Sequence, residues 1–241
     1  MTASLADRLS AVERRIQAAC AAAGRDRGAV RLLAASKTRA PAEIAALHAL
    51  GQRLFGENRA QELRDKPGLV AALAAERGAA PPEWHFIGHL QSNKVKYVVG
   101  VATLVHSVDR LSVAEALSGR LVRQREAGES IDDLGVLIEV NVSGEASKEG
   151  VDPSTALDLC AAAQALPGVQ VRGLMTMPPF TDDPADSRPH FARLAALAAR
   201  GRDQGLALTE LSMGMSGDFE HAIAEGSTLV RVGTSLFGPR T

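Results

Sequence analysis

Apolar and polar positions alternate along this chain in blocks of two kinds. Leu5, Leu9, Val12, Ile16 and Ala19 recur at spacings of three and four, which predicts a helix over 4–23. Ser4 is its N-cap, Asp7 the capping-box partner and Gly24 its end. The next apolar block, about 30–36, is short and continuous and reads as a strand. Pro41 then opens a helix whose stripe is Ile44, Leu47 and Leu50, ending before Gly51. The same alternation continues to the end of the chain. Further strands are predicted at 53–56, 84–88, 103–108, 134–142, 169–177, 208–214 and 228–233. Helical segments fall between them: a start at Glu57, then 68–77, 92–98, 109–127 capped by Asp109, 153–166, 186–204 and 218–224.

Eight short strands separated by helical segments predict an α/β fold, a (β/α)8 TIM barrel with an extra N-terminal helix, with 1–241 as a single domain. Only eight residues follow the last strand, too few for a full eighth helix. The helix before the first strand is expected to close the ring from the other end. A doubly wound open sheet is the rival, but no GxGxxG follows any strand.

Composition narrows the function classes. Lys plus Arg is 27 against 28 for Asp plus Glu, and no basic run interleaves with aromatics, so a nucleic-acid partner is not expected. Cys20 and Cys160 lie in alanine-rich helical patterns, which fits a reducing compartment better than a disulfide framework. No apolar run reaches membrane-spanning length and the first residues do not read as a signal peptide, so a soluble cytoplasmic protein is expected.

Candidate chemistry gathers at the C-terminal ends of the predicted strands, where barrels of this class place their sites. The first strand ends in Ser36, Lys37 and Thr38. Burying an ammonium is costly, so Lys37 either snorkels out or is an amine kept neutral for chemistry. LSMGMSG leaves the seventh strand and VRVGTS the eighth, and both combine glycines with hydroxyls. Either could simply shape a turn. Together, on adjacent strands, they read as a phosphate cup. Alternation turns Arg231 away from Val230 and Val232, toward the barrel mouth. In the third strand, either Trp84 and Phe86 or His85 and Ile87 face inward. The six histidines show no metal-ligand spacing. A lysine across the mouth from a phosphate cup suits an aldehyde that carries phosphate. Pyridoxal phosphate meets that demand, and so would a phosphosugar.

Seven stretches resemble the YggS/PROSC family, the pyridoxal phosphate homeostasis proteins: LLAASKTR (32–39), FGENRAQE (55–62), WHFIGHLQSNK (84–94), HSVDR (106–110), EVNVSGEASKEG (139–150), RGLMTMPP (172–179) and LSMGMSGDFEHAIAEGSTLVRVGTSLFG (211–238). The resemblance implies the barrel seen in the N-terminal part of alanine racemase, and pyridoxal 5′-phosphate held as a Schiff base on Lys37. It places Ser212, Gly214, Gly233 and Thr234 around the phosphate, Arg231 near the ring, and Asn58 facing the cofactor. FGEN usually continues with an aromatic in this family; here it continues with Arg59.

The implied role is vitamin B6 homeostasis, by a monomer that binds the cofactor and contacts pyridoxal phosphate-dependent enzymes transiently. The alternative is an amino-acid racemase or lyase, which needs a second acid/base, with His85 as candidate. Related racemases take a tyrosine from a second, β-rich domain, for which 241 residues leave no room, and Tyr97 is the sole tyrosine. A barrel that only scaffolds a protein partner is a third reading.

Overall fold

The computed structural model describes residues 3–145, 149–179 and 181–239. Its first helix, α1 (Leu5–Ala22), has the expected capping box: Ser4 Oγ accepts from the Asp7 amide, and Asp7 accepts from the Ser4 amide. The chain then alternates through β1 (Arg31–Ala35), α2 (Pro41–Ala49), β2 (Leu54–Glu57), α3 (Ala60–Ala75) and β3 (Glu83–Phe86). A 3₁₀ segment, Ser92–Tyr97, leads to β4 (Leu104–Val108), α4 (Leu111–Glu126), β5 (Leu134–Glu139), α5 (Ala156–Gln164) and β6 (Val169–Met175). Another precedes α6 (Arg188–Asp203), which is followed by β7 (Glu210–Met215), α7 (Phe219–Ala224), β8 (Leu229–Val232) and α8 (Thr234–Phe237).

The eight strands form a closed parallel barrel in sequence order, and β1 pairs with both β2 and β8. This is the predicted (β/α)8 fold. Strand alternation divides the core in two. Leu32, Ala34, Phe55, Trp84, Phe86, Val230 and Val232 pack outward under the helices. Leu33, Leu54, Leu104, Leu137, Met175 and Leu229 fill the barrel interior, with Ile87 against them. So Trp84 and Phe86 belong to the outer layer, while His85 and Arg231 turn inward.

The single-turn α8 leaves a gap that α1 fills by packing on α7 and α8. Val12, Ile16 and Cys20 are its buried face. Arg15 Nε meets Glu220 Oε1 at 2.6 Å while its guanidinium lies 4.4 Å from the Phe219 ring centroid, and Arg8 Nε donates to the Leu236 carbonyl at 2.6 Å.

Two local expectations need correction. Glu57 does not start a helix; it is the buried last residue of β2. Residues 60–75 form one helix that runs through Pro67, because Leu63, Lys66, Val70 and Ala74 present a continuous buried face on both sides of the proline. Asp109 does not cap α4, whose N-cap is Arg110 with no side-chain bond. It turns instead toward His89, 3.7 Å away, and Arg110, 2.6 Å away. Among the described residues, no helix is long and apolar enough to cross a membrane.

Candidate functional site

The end of β1 is built from a buried ionic cluster. Lys66, reaching in from α3, donates to the Ser36 carbonyl at 3.1 Å, to Glu57 Oε1 at 2.9 Å and to Glu62 Oε2 at 2.5 Å. Ser36 Oγ donates to Glu57 Oε1 at 2.7 Å, and the Thr38 amide donates to Glu62 Oε2 at 2.9 Å. Burial pushes the Glu57 carboxyl up, against the pull of Lys66 and Ser36. Lys37 therefore sits between two anchored neighbours. The turn is sharp enough that Thr38 takes a φ of +66°, a left-handed conformation that side chains resist unless their surroundings fix it. The sequence reading singled out Lys37 and missed Lys66, the lysine that is buried at this strand end.

Across the barrel, Arg231 is 5% exposed and held by three bonds. Its Nη1 donates to the carbonyl and hydroxyl oxygens of Ser212, at 2.8 and 2.5 Å, and its Nη2 to the Thr176 carbonyl at 3.0 Å. Beneath it a polar column descends through the interior. Ser212 Oγ lies 2.8 Å from His106 Nδ1, His106 Nε2 lies 2.9 Å from His85 Nδ1, and His85 Nε2 lies 3.0 Å from Glu83 Oε1. The Glu83 carboxylate can only accept, so His85 Nε2 donates to it; in neutral rings each Nδ1 then accepts, His106 Nε2 donating to His85 and Ser212 Oγ to His106. Burial lowers both histidine pKa values, His106 strongly, so both rings are neutral. Burial likewise pulls Arg231 down to about 10, which leaves it charged at neutral pH.

Lys37, Asn58, Arg231, Gly233 and Thr234 meet on one cavity of about 630 Å³ at the C-terminal mouth of the barrel. Ser212 and Gly214, expected at the phosphate, lie below its wall. Ser212 is fully buried and its hydroxyl is taken up by Arg231 and His106. Gly214 has φ +92°, and a Cβ there would come within 2.8 Å of Phe219 Cα, so this glycine lets α7 pack against β7. The wall after β7 is instead Met215, Ser216 and Gly217. That turn is closed by the Met215 amide donating to Asp218 Oδ1 at 2.6 Å, and the Gly233 amide donates to Ser216 Oγ at 3.3 Å. The two turns after β7 and β8 are thus tied into one rim.

Asn58 also faces the cavity, and its Oδ1 is buried without a hydrogen-bond partner. Its backbone is pressed against Gly88, where a Cβ would stand 2.1 Å from the Asn58 oxygen. Arg59, which replaces the usual aromatic, projects outward with its side chain 67% exposed and 3.7 Å from Glu62. His85 is 1% exposed and does not line the cavity, so it does not supply an acid/base there. The sequence reading also missed Glu139. Inward-facing at the end of β5 and on the cavity wall, this carboxyl is pushed up to about 7 by burial and by neighbouring Glu149. Alternation from Leu137 could have placed it there.

Known proteins resemble this chain over nearly its whole length. The family model described as "Alanine racemase, N-terminal domain" matches residues 8–241. A pyridoxal phosphate homeostasis protein of Aquifex aeolicus is 46% identical over 97% of this chain and 97% of its own. Its namesake from Pseudomonas aeruginosa is 46% identical over 98% of this chain and 96% of its own. The structure of PipY from Synechococcus elongatus with PLP bound superposes with a TM-score of 0.78, at 35% identity, covering 98% of this chain and all of that one. The barrel and the similarity over nearly the full length agree: the chain belongs to the alanine racemase N-terminal domain family and, within it, to the pyridoxal phosphate homeostasis proteins.

Proposed function

We propose that this chain binds pyridoxal 5′-phosphate in the mouth cavity, holds it as a Schiff base on Lys37, and serves intracellular homeostasis of that cofactor. The observation that carries the reading is the opening of Lys37, Arg231 and the joined turns after β7 and β8 onto one cavity. The donor set fits the group. Backbone and hydroxyl donors at Ser216, Gly217, Gly233 and Thr234 suit a phosphate. Arg231 offers a charged donor to a ring nitrogen, and the unpartnered Asn58 oxygen awaits a polar contact. When bound, the cofactor supplies an aldehyde that condenses reversibly with primary amines and a ring that withdraws electrons.

The chain's own groups favour holding over turnover. An arginine that stays charged disfavours protonation of a ring nitrogen beside it, which weakens electron withdrawal. The Ser212 bonds and the column below keep that guanidinium in place. Relatives bearing the homeostasis name support the role, and PipY with PLP bound supports the ligand. On this reading the chain acts as a cytoplasmic monomer that meets pyridoxal phosphate-dependent enzymes transiently.

The test is to add the cofactor, record visible absorption, reduce with borohydride and map the labelled peptide. Label on Lys37 with no turnover across a panel of amino acids is expected. Lys37→Ala should lose the label and keep binding weakened by about tenfold or more, since the phosphate turns are separate contacts. Label at another lysine would overturn the assignment. Sustained racemisation or lyase product would make the chain an enzyme.

A further inference from the structure

The column under Arg231 joins the two ends of the barrel. Glu83 begins β3, at the opening opposite the mouth, and its side chain is 39% exposed. From there His85, His106 and Ser212 carry an unbroken series of hydrogen bonds to the guanidinium. His106 and Ser212 are fully buried and His85 nearly so, which leaves each ring to its neighbours in the column.

A neutral imidazole has one N–H and one bare nitrogen, so two rings in series can run in either direction. The groups at the ends decide, and the ends are unequal. Ser212 Oγ can accept from Arg231 whichever way the rings run. Glu83 can only accept: its Oε1 takes His85 Nε2 at 3.0 Å and Thr103 Oγ1 at 2.9 Å, and its Oε2 takes Arg31 Nη2 at 2.8 Å. The His85 bond holds that carboxyl down to about 2, so it stays an acceptor at neutral pH. With the rings donating toward Glu83, the Ser212 proton rests on His106 and a lone pair meets Arg231. With the rings reversed, His106 and Arg231 would both donate to Ser212 Oγ, and its hydroxyl proton would lose the acceptor it has.

We propose that Glu83 is a positioning residue for the cofactor site at the far end of the barrel: it sets the direction of the buried column and so presents Ser212 to Arg231 as an acceptor. The carbonyls of Ser212 and Thr176 hold the guanidinium whichever way the column runs. Glu83 therefore governs the third contact, and with it the fine placement of Nη1. The inference rests on the cofactor reading for its consequence at the mouth, whereas the direction of the column belongs to the cofactor-free chain.

Glu83→Gln tests this with little change of shape. Arg31 can only donate, so the introduced amide turns its oxygen to Arg31 and its NH₂ to His85, which reverses the column. Nitrogen-15 NMR of the cofactor-free parent is expected to show His85 and His106 both protonated at Nε2, and that of Glu83→Gln to show both protonated at Nδ1. Titration of the same samples with pyridoxal phosphate is expected to show about tenfold weaker binding in the variant. Adding Arg31→Met frees the amide to turn its oxygen to His85, and should return both the parent tautomers and the parent affinity; a loss due to destabilisation alone would not be rescued. Parent rings protonated at Nδ1 overturn the proposal and need no variant. Unchanged tautomers in folded Glu83→Gln overturn it, and so does reversal of the tautomers with affinity unchanged. A parent that shows the expected tautomers and does not bind pyridoxal phosphate sinks the cofactor reading and leaves the direction set by Glu83 standing.

Discussion

Glu139 places an ionisable carboxyl in a buried wall beside two other carboxylates, Glu149 and Asp109, against the pull of Arg231, and that leaves a pH signature. Its pKa is raised from 4.5 to about 7, first by burial and then by Glu149. A raised carboxyl stabilises the native state fully below its unfolded value, and that contribution is lost as pH climbs through the folded value. The window therefore runs from 4.5 to about 7. Over it the cofactor-free parent should lose up to about 3 kcal/mol relative to Glu139→Gln, which cannot ionise. Urea unfolding of both proteins across that range checks this; a constant difference would mean that Glu139 stays paired or hydrated. Glu83 runs the opposite way. The hydrogen bond from His85 holds its carboxyl down near 2, so its contribution is present above 4.5 and fades in strong acid.

At the scale of elements, the site depends on contacts between segments that no local pattern reports. Lys66 of α3 joins the ends of β1 and β2 through Ser36 and Glu57, with Glu57 fully buried. Lys66→Met leaves that carboxylate without its cation and should cost about 3–5 kcal/mol; adding Glu57→Gln should recover much of the loss. A double-mutant cycle by urea unfolding measures the coupling, and additive losses would show that the pair is not a unit. The sequence reading found the elements because their apolar periods are local, and it found Arg231 because strand alternation is local too. It missed Lys66 because a lysine at a helical spacing in a charged stretch reads as surface. The family resemblance set Ser212 at the phosphate, whereas its hydroxyl is taken up by Arg231 and His106 and Ser216 is the serine on the cavity wall. Ser212 pairs with Leu229 and Met215 with Arg231, so only the register with β8 shows that residue 212 lies deeper than the end of β7.

For the whole molecule, closure of the ring and readiness of the site are one problem. α7 and α8 begin just past the two turns that rim the cavity, and α1 clamps both from outside. Ile16 is fully buried in that clamp, and Leu117 is fully buried in α4 on the opposite side of the barrel. Truncating either to alanine should cost about 2–5 kcal/mol by opening a cavity. Their effects on ligand binding should differ. Loss of Ile16 loosens α7 and α8, and with them the spacing between Ser216 and Gly233, whereas loss of Leu117 leaves that rim intact. Ile16→Ala should therefore weaken pyridoxal phosphate binding under conditions where both variants remain folded, while Leu117→Ala binds as the parent does. Spectroscopic titration alongside urea unfolding separates affinity from stability. Equal weakening in both would mean that affinity follows global stability alone, with no special route from the N-terminal helix to the mouth.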